Sequence, residues 1–379
     1  MNKEFKKIKI AISCGGTGGH FYPGLSIARK VNQMGGMAIL LLSGVNSEQQ
    51  QKIAENVNVQ AYALPYMNSP RLKNLHKFAK GFFDGSKMAR KILKDNEINV
   101  VLGMGSFASL PPIIAAKSLQ LPLFLHDGNA RVGKANRILS RLAKKLWSAF
   151  DMVNAKKLHC PSECIGMPLR PEITDIERIS KEEAINKLND CFGSQLASDK
   201  VALLIFGGSQ GAEIFNVTIP KALKELAKVY DFQVIHLTGK GKLDYTHDLY
   251  KDAVFPLLLL ESSEKMELFY QASDLVFSRS GGSSVAEIAF FGKASILVPY
   301  PYAAENHQYD NACYLSENGA AVVLNNKNCD DETVVQNIDK LLGNPKELKK
   351  MSDCASKKAK LDVAEKIITE IYEILNLQD

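Results

Sequence analysis

No uninterrupted apolar run of 18 residues or more occurs in the 379-residue chain, so nothing in it reads as a membrane-spanning helix. Cysteine is sparse and unpatterned. The seven (Cys14, Cys160, Cys164, Cys191, Cys313, Cys329, Cys354) are odd in number, with no CxxC pair and no histidine at metal-ligand spacing. That excludes a disulfide framework or zinc module as the organising device, and reads as the reduced thiols of a cytoplasmic protein. Charge of either sign is not in great excess: a net +6 calls for no nucleic-acid partner, and none is expected. There is no short-period repeat and no low-complexity tract. Two phosphate motifs are also incomplete. The first glycine loop lacks the lysine of GxxxxGK[ST], and the second strand ends "LLLSGVNSEQQ", with Ser43 or Gly44 where a dinucleotide-binding unit carries an acid. A dinucleotide oxidoreductase is thereby disfavoured.

What is present is an alternation of β-branched apolar runs with longer amphipathic segments. "KIKIAIS", "MAILLLSG", "INVVLGMG" and "LPLFLHD" are followed later by "KVALLIFGG", "FQVIHLTG", "DLVFSRSG" and "ASILVPY". That pattern predicts repeated βα units and an α/β fold with parallel sheets. The basic start, "MNKEFKKIKIAISC", looks superficially like a leader. Its apolar run, Ile8 to Cys14, is short, contains Lys9 and enters a glycine loop, so it reads as the first strand. Length suggests two domains. Two similar beginnings, "CGGTGGH" at 14–20 and "FGGSQGAEIFN" at 206–216, suggest that each is Rossmann-like. The polar stretch 166–200, with one helix inside it, reads as a linker, which places the hinge near Gly166 and the domains at 1–166 and 167–354.

A glycine loop between strand and helix lets backbone approach a ligand closely, and the helix start attracts an anion, most often phosphate. A third cluster sharpens the reading: "SDLVFSRSGGSSVAEIAFFGKASILVPYPYAAENHQYDNA", residues 273–312. It puts "SGGSS" at a strand-to-helix turn, Glu287 one turn into the helix, and "ENHQ" beyond the next strand. Backbone N–H groups there can cradle a diphosphate while a carboxylate accepts both ribose hydroxyls, as a nucleotide-diphosphate sugar requires.

Taken in order, "GGTGGHFYPGLSIA", "GMGSFASLPP", "LHDGNARVGKANRIL", "GMPLR", "GGSQGAEIFN" and the 273–312 stretch resemble the MurG family, from residue 8 to about residue 325. These are the peripheral-membrane N-acetylglucosaminyltransferases of bacterial cell-wall synthesis. The resemblance implies a GT-B fold, two Rossmann-like domains with parallel sheets facing across a cleft, and a last helix, about 355–379, packed back on the first domain. It implies inverting transfer of N-acetylglucosamine from UDP-N-acetylglucosamine to the 4-hydroxyl of MurNAc in undecaprenyl-pyrophosphoryl-MurNAc-pentapeptide. It also implies a place at the cytoplasmic face of the plasma membrane. No DxD-like acid pair lies near the loops, so neither metal nor other cofactor is expected.

Such a displacement needs a base for the acceptor hydroxyl. His20 is the first candidate, with Asp127 the competitor; the alternative role for His20 is a helix-start residue bonded to backbone or diphosphate. By resemblance, Thr17, Gly18 and Gly19 form the donor-contacting loop of the first domain, Asn129 contacts sugar, and Arg170 approaches the donor's phosphates or sugar. Ser209 and the run Gly282, Ser283, Ser284, Val285, Ala286 and Glu287 match the nucleotide-binding positions of the second domain. Gln308 would bind the donor sugar. The chain departs from the family in "HDGN" for the usual "HEQN", in Phe107 for a tyrosine, and in Ser263 where an apolar residue would meet uracil.

Residues 68–94 carry eight Lys or Arg against one Asp, with Leu72, Leu75, Phe78, Ala79, Phe82 and Phe83 at helical spacings. The expectation is an anionic membrane contact through about 71–94; the alternative is an ordinary surface helix with its apolar face inward. Two other functions stay open on sequence alone. One is a sugar-nucleotide epimerase of similar fold, the other a non-catalytic UDP-sugar-binding protein that recruits others to a membrane.

Overall fold

The computed structural model describes residues 8–65, 75–208 and 210–376. The chain divides into two compact units, Met1–Pro171 with Lys360–Asp379, and Glu172–Ala359.

In the first unit a seven-stranded sheet has the order β3-β2-β1-β4-β5-β6-β7. Its strands are β1 (Lys9–Cys14), β2 (Met37–Leu42), β3 (Gln60–Ala63), β4 (Val100–Gly103), β5 (Leu123–Asp127), β6 (Lys145–Ser148) and β7 (Ser162–Cys164). Every pairing is parallel, so both faces must be covered. The alternation along β1 and β2 does this. Ile10, Ile12, Leu40 and Leu42 join one core, while Ala11, Ile39 and Leu41 join the other. The covering helices are α1 (Gly18–Gln33), α2 (Ser47–Asn56), α3 (Leu75–Asp95), α4 (Leu110–Ser118) and α5 (Lys134–Leu139), and α6 (Pro171–Thr174) begins at the boundary.

The second unit has a six-stranded sheet, again all parallel, of order β10-β9-β8-β11-β12-β13. Its strands are β8 (Val201–Phe206), β9 (Phe232–Leu237), β10 (Leu257–Leu260), β11 (Leu275–Ser278), β12 (Ala294–Leu297) and β13 (Ala321–Val323). Helices α7 (Lys181–Phe192), α8 (Glu213–Leu226), α9 (Leu243–Leu249), α10 (Met266–Ala272), α11 (Gly282–Phe291), α12 (His307–Ser316), α13 (Asp331–Leu342) and α14 (Pro345–Ser356) complete it. α7 is capped as its sequence asks. Ser180 Oγ accepts the N–H of Glu183, and Gly193 closes the helix in the left-handed region.

The last helix, α15 (Val363–Ile374), belongs to the first unit: Val363, Ile367, Ile368, Ile371 and Tyr372 enter the core beneath α1 and β1. Glu370 Oε2 fixes it further by accepting from both Lys145 Nζ and Trp147 Nε1, at 2.7 Å each. The units part at Pro171 and Lys360, a little beyond the expected Gly166 and residue 355. The stretch Gly166–Arg170 stays with the first unit because Gly166 bonds into it: its N–H donates to Ser148 O and its carbonyl accepts from His126 Nε2.

Candidate active site

In each sheet the strand order reverses direction at one point, between β1 and β4 and between β8 and β11. Loops at the carboxyl ends of the strands flanking such a reversal splay apart and leave room for a ligand. All three glycine clusters lie there.

In the first unit, Thr17, Gly18 and Gly19 are exposed at the open start of α1. The first N–H groups of a helix lack intrahelical partners, and Thr17 does not cap them with its side chain. Its hydroxyl instead meets His20 Nδ1 at 2.9 Å. The half-buried His20 ring lies against the backbone beyond β4: a Cβ on Gly105 would stand 3.4 Å from its Cδ2 and 3.6 Å from its Nε2. Tyr22, one turn on, lies under Gly18 and carries the Arg170 guanidinium 5.0 Å above its ring. Arg170 and the glycine loop are thus brought together through Tyr22, which the sequence reading passed over as a helix residue.

The two candidate bases stand in different situations. Asp127 is buried, and both its carboxylate oxygens hold its own loop in place. Oδ1 accepts from Asn129 N and Nδ2 at 3.2 and 3.4 Å, and Oδ2 from Gly133 N and Asn136 Nδ2 at 2.9 and 3.0 Å. Burial pushes its pKa up and these bonds pull it down, with burial the larger effect. Such a carboxylate organises the start of α5 and the position of the half-buried Asn129. Asn136, fully buried, was not anticipated; its amide also donates to His126 O at 3.0 Å. His126 itself is buried, and burial above all pulls its pKa down to about 4, so it is neutral near pH 7 and donates to Gly166 O.

In the second unit, α11 starts at Gly282 behind the N-cap Gly281, which brings no side-chain cap. Gly282, Ser283, Ser284 and Ala286 are partly exposed there. Val285 differs from the expectation: its side chain is fully buried and its N–H donates to Gly281 O, so it packs the helix down and presents neither side chain nor N–H to a ligand. Glu287 is 9% exposed, and Tyr270 donates to its Oε2 at 3.0 Å. Tyr270, fully buried in α10, is another residue the sequence did not single out. Gln308 lies in the first turn of α12. Its carbonyl accepts from Ser280 Oγ at 2.8 Å, and its Oε1 accepts from Tyr300 N at 2.9 Å. Ser209 lies outside the described residues.

On α3 the inward face is made by Gly81, Gly85, Ala89, Ile92 and Leu93, with Gly85 seated against Pro111 of α4. Lys80, Phe83, Lys87, Met88, Arg90, Lys91 and Lys94 face outward, and Phe83 is 68% exposed. The expected apolar stripe is therefore not the buried one. Phe83 points out, Phe82 is half-buried, and Leu72 lies outside the described residues. No described helix is long and apolar enough to cross a membrane.

Two parallel, doubly wound sheets, each with glycine-rich turns at its reversal point, are the architecture of a GT-B glycosyltransferase. Residues 10–148 match the glycosyltransferase family 28 N-terminal domain and residues 202–367 its C-terminal domain. The chain is 31% identical to the UDP-N-acetylglucosamine--N-acetylmuramyl-(pentapeptide) pyrophosphoryl-undecaprenol N-acetylglucosamine transferase of Geobacter sulfurreducens, over 96% of this chain and 98% of that protein. A crystal structure of MurG from Acinetobacter baumannii superposes with a TM-score of 0.77 at 25% identity, covering 96% of this chain and 99% of that one. The chain belongs to glycosyltransferase family 28. A UDP-GlcNAc 2-epimerase from Neisseria meningitidis shares the fold at TM-score 0.69 but only 14% identity, over 97% of this chain and 100% of that one.

Proposed function

We propose that the chain transfers N-acetylglucosamine from UDP-N-acetylglucosamine to the MurNAc 4-hydroxyl of undecaprenyl-pyrophosphoryl-MurNAc-pentapeptide, the step that completes the disaccharide of the lipid-linked cell-wall precursor. The observation that carries this reading is the near-complete match to a relative of that activity, with both family 28 halves in one chain.

The acceptor oxygen attacks the sugar's anomeric carbon, the bond to the diphosphate oxygen breaks with its electron pair leaving on UDP, and the configuration inverts. His20 takes the acceptor proton. For that, Nδ1 must carry the hydrogen and donate to Thr17 Oγ1, which leaves the Nε2 lone pair as the base. Thr17 therefore orients the ring, and Asp127 holds the loop that presents Asn129. Arg170, stacked on Tyr22, and the N–H groups of Gly18 and Gly19 carry the positive potential of the first unit. In the second unit the start of α11, with Gly282, Ser283, Ser284 and Ala286, receives the diphosphate, as does the loop with Ser209. Glu287 accepts the ribose hydroxyls while Tyr270 fixes its carboxylate. With Oε1 held by Tyr300, Gln308 presents its amide NH2 to the donor sugar. The outward basic face of α3, with Phe83 and Met88 among its lysines, rests on the anionic cytoplasmic leaflet where the acceptor resides.

The test is transfer of labelled N-acetylglucosamine from UDP-N-acetylglucosamine to a lipid-linked MurNAc-peptide, with a chelator present and the acceptor omitted in a parallel reaction. Product that requires acceptor supports the transferase. UDP release or isomerised sugar without acceptor would place the chain among the epimerases, and tight donor binding without turnover would make it a binding protein.

A further inference from the structure

The turn between β9 and α9, residues 238–242, has no part in the chemistry above, yet it holds the glycine loop after β8 by several independent contacts. Gly211 and Gly239 meet backbone to backbone: a Cβ on Gly211 would stand 1.9 Å from Thr238 O, and one on Gly239 2.5 Å from Gly211 N. Both residues have positive φ, +66° and +89°, so glycine is required there by conformation and by contact. Lys242 Nζ donates to Gln210 O at 3.1 Å and lies 3.8 Å from the Glu213 carboxylate. On its other side the turn is tied to the loop after β10. Gly239 N–H donates to Glu261 O at 2.9 Å, and Gly241 N–H to Glu261 Oε1 at 2.7 Å.

Beneath the turn a buried chain of bonds fixes Thr238. Asn216 Nδ2 donates to Thr238 O at 3.0 Å, so Asn216 Oδ1 is the acceptor for His236 Nε2–H at 3.1 Å. His236 Nδ1 is then the acceptor for the Tyr250 hydroxyl, at 3.0 Å. The imidazole is held neutral in one tautomer, consistent with burial pulling its pKa down to about 3.

We propose that this turn is the brace that positions the donor-phosphate loop, with Lys242 and Glu261 as its positioning residues. It ties the loop after β8 to the loop after β10, which carries Ser263 on the uracil side of the donor, so that both are set before the nucleotide arrives. A loop containing Gly207, Gly208 and Gly211 would otherwise lose much conformational freedom on binding, and a braced loop has lost it already. The proposal rests on the reading of this loop as part of the donor site.

The experiment compares the full chain with Lys242→Met, Lys242→Arg and Glu261→Ala, variants at partly exposed side chains that leave the buried chain intact. Three things are measured: equilibrium binding of UDP and UDP-N-acetylglucosamine, steady-state kinetics in both substrates, and amide hydrogen exchange in the unliganded protein. Lys242→Met and Glu261→Ala are each expected to raise donor Kd and KM about tenfold, equivalent to about 1.4 kcal/mol. kcat and acceptor KM should stay within about twofold on the same scale, exchange at Gln210–Ala212 should quicken, and Lys242→Arg should restore the wild-type values. Unchanged donor affinity with unchanged exchange in both variants overturns the brace, as does an equal loss in kcat and both KM values, which would mark general destabilisation. A donor defect in Lys242→Met alone, with exchange unaltered, also overturns it in favour of direct charge contact. If the wild-type chain binds neither UDP nor the sugar nucleotide, the donor-site reading fails, and the exchange data still decide whether the turn braces the loop.

Discussion

Gly166→Ala should loosen the last helix from the first unit and disturb donor binding with it. Gly166 has φ +117°, which L side chains rarely adopt, and holding alanine there costs about 1–3 kcal/mol. The new methyl would also stand 2.6 Å from Lys360 Cβ and 2.8 Å from Val363 Cγ2, so the start of α15 must move. Overpacking of this kind costs about 1–3 kcal/mol more. The sum, about 2–6 kcal/mol, is a large part of the roughly 5–15 kcal/mol that keeps a domain folded. The chain supplies its own reporter. Its single tryptophan, Trp147, is buried, stacked on Phe124 at 5.4 Å, and bonded through Nε1 to Glu370 of α15. Urea unfolding followed by tryptophan emission should therefore show the Gly166→Ala transition at lower denaturant, by about 0.7 M or more given usual slopes of about 1–3 kcal/mol per M. Arg170 lies four residues on, so the donor KM should rise in the same variant. A wild-type midpoint in Gly166→Ala would refute the reasoning about both the backbone and the contact.

Further outcomes follow from the same geometry. His20→Ala should lower kcat by about 10²–10⁴-fold, the range for a general base, with donor binding largely kept; Thr17→Val should lower kcat through the misdirected tautomer while Thr17→Ser keeps it. A turnover number unaffected by His20→Ala would remove His20 as base. His126 and His236, buried neutral with pKa values of about 4 and about 3, bind no proton where an unfolded histidine, near 6.5, does. Each therefore contributes stability that is complete above about pH 6.5 and falls with acidification, by about 2 kcal/mol at pH 5, whereas the raised Asp127 works in the opposite direction. Urea midpoints at pH 7 and pH 5 check the sign, and a midpoint that rose on acidification would contradict it. On α3, Phe83→Asp with Lys87→Glu should weaken binding to vesicles containing anionic lipid, by about 1 kcal/mol for each basic residue lost, and leave binding to neutral vesicles little changed. Equal binding of variant and wild type to the anionic vesicles would argue against this face.

The parts of the fold legible in sequence are those set by local periodicity. The strands before the glycine loops, Lys9–Cys14 and Val201–Phe206, and the final helix with Val363, Ile367, Ile368 and Ile371 buried, follow from apolar spacing alone. The site was legible as motifs but not as roles, because a role depends on partners far along the chain. Asp127 looks like chemistry in "HDGN", and only Gly133 and Asn136 reveal it as the organiser of its loop. Val285 stands in the run expected to meet the nucleotide, yet helical geometry turns its side chain into the core. α3 misleads in the opposite sense. Counting large apolar residues finds the outward Phe83, while the face that packs is lined, before Ile92 and Leu93, by the small Gly81, Gly85 and Ala89, of which Gly85 lets Pro111 of α4 come close. The unit boundary is late for the same reason. What keeps Gly166–Arg170 in the first unit is the bonding of Gly166 to Ser148 and His126 and the stacking of Arg170 on Tyr22.

The bonding pattern also accounts for the short carboxylate in this chain. In "HDGN", His126 and Asp127 turn inward, the first to Gly166 and the second to Gly133, Asn136 and Asn129, so the motif works as a junction for three segments. With aspartate, the carboxylate reaches Gly133 N–H from the end of β5 at 2.9 Å and holds α5 without a longer side chain having to fold back. Gly128 fits the same arrangement, since a Cβ there would stand 3.1 Å from Met167 Cε, whose end would have to give by a few tenths of an ångström, and in ordinary contact, 3.7 Å, with Gly19 O. At the end of β5, Gly128 thus lies against Met167 of the "GMPLR" stretch and near Gly19 of the first glycine loop, while Asp127 holds Asn129 from within the unit. The proposed mechanism accordingly gives the proton-transfer role to His20, whose ring meets Thr17 at the exposed start of α1 rather than being locked in the core.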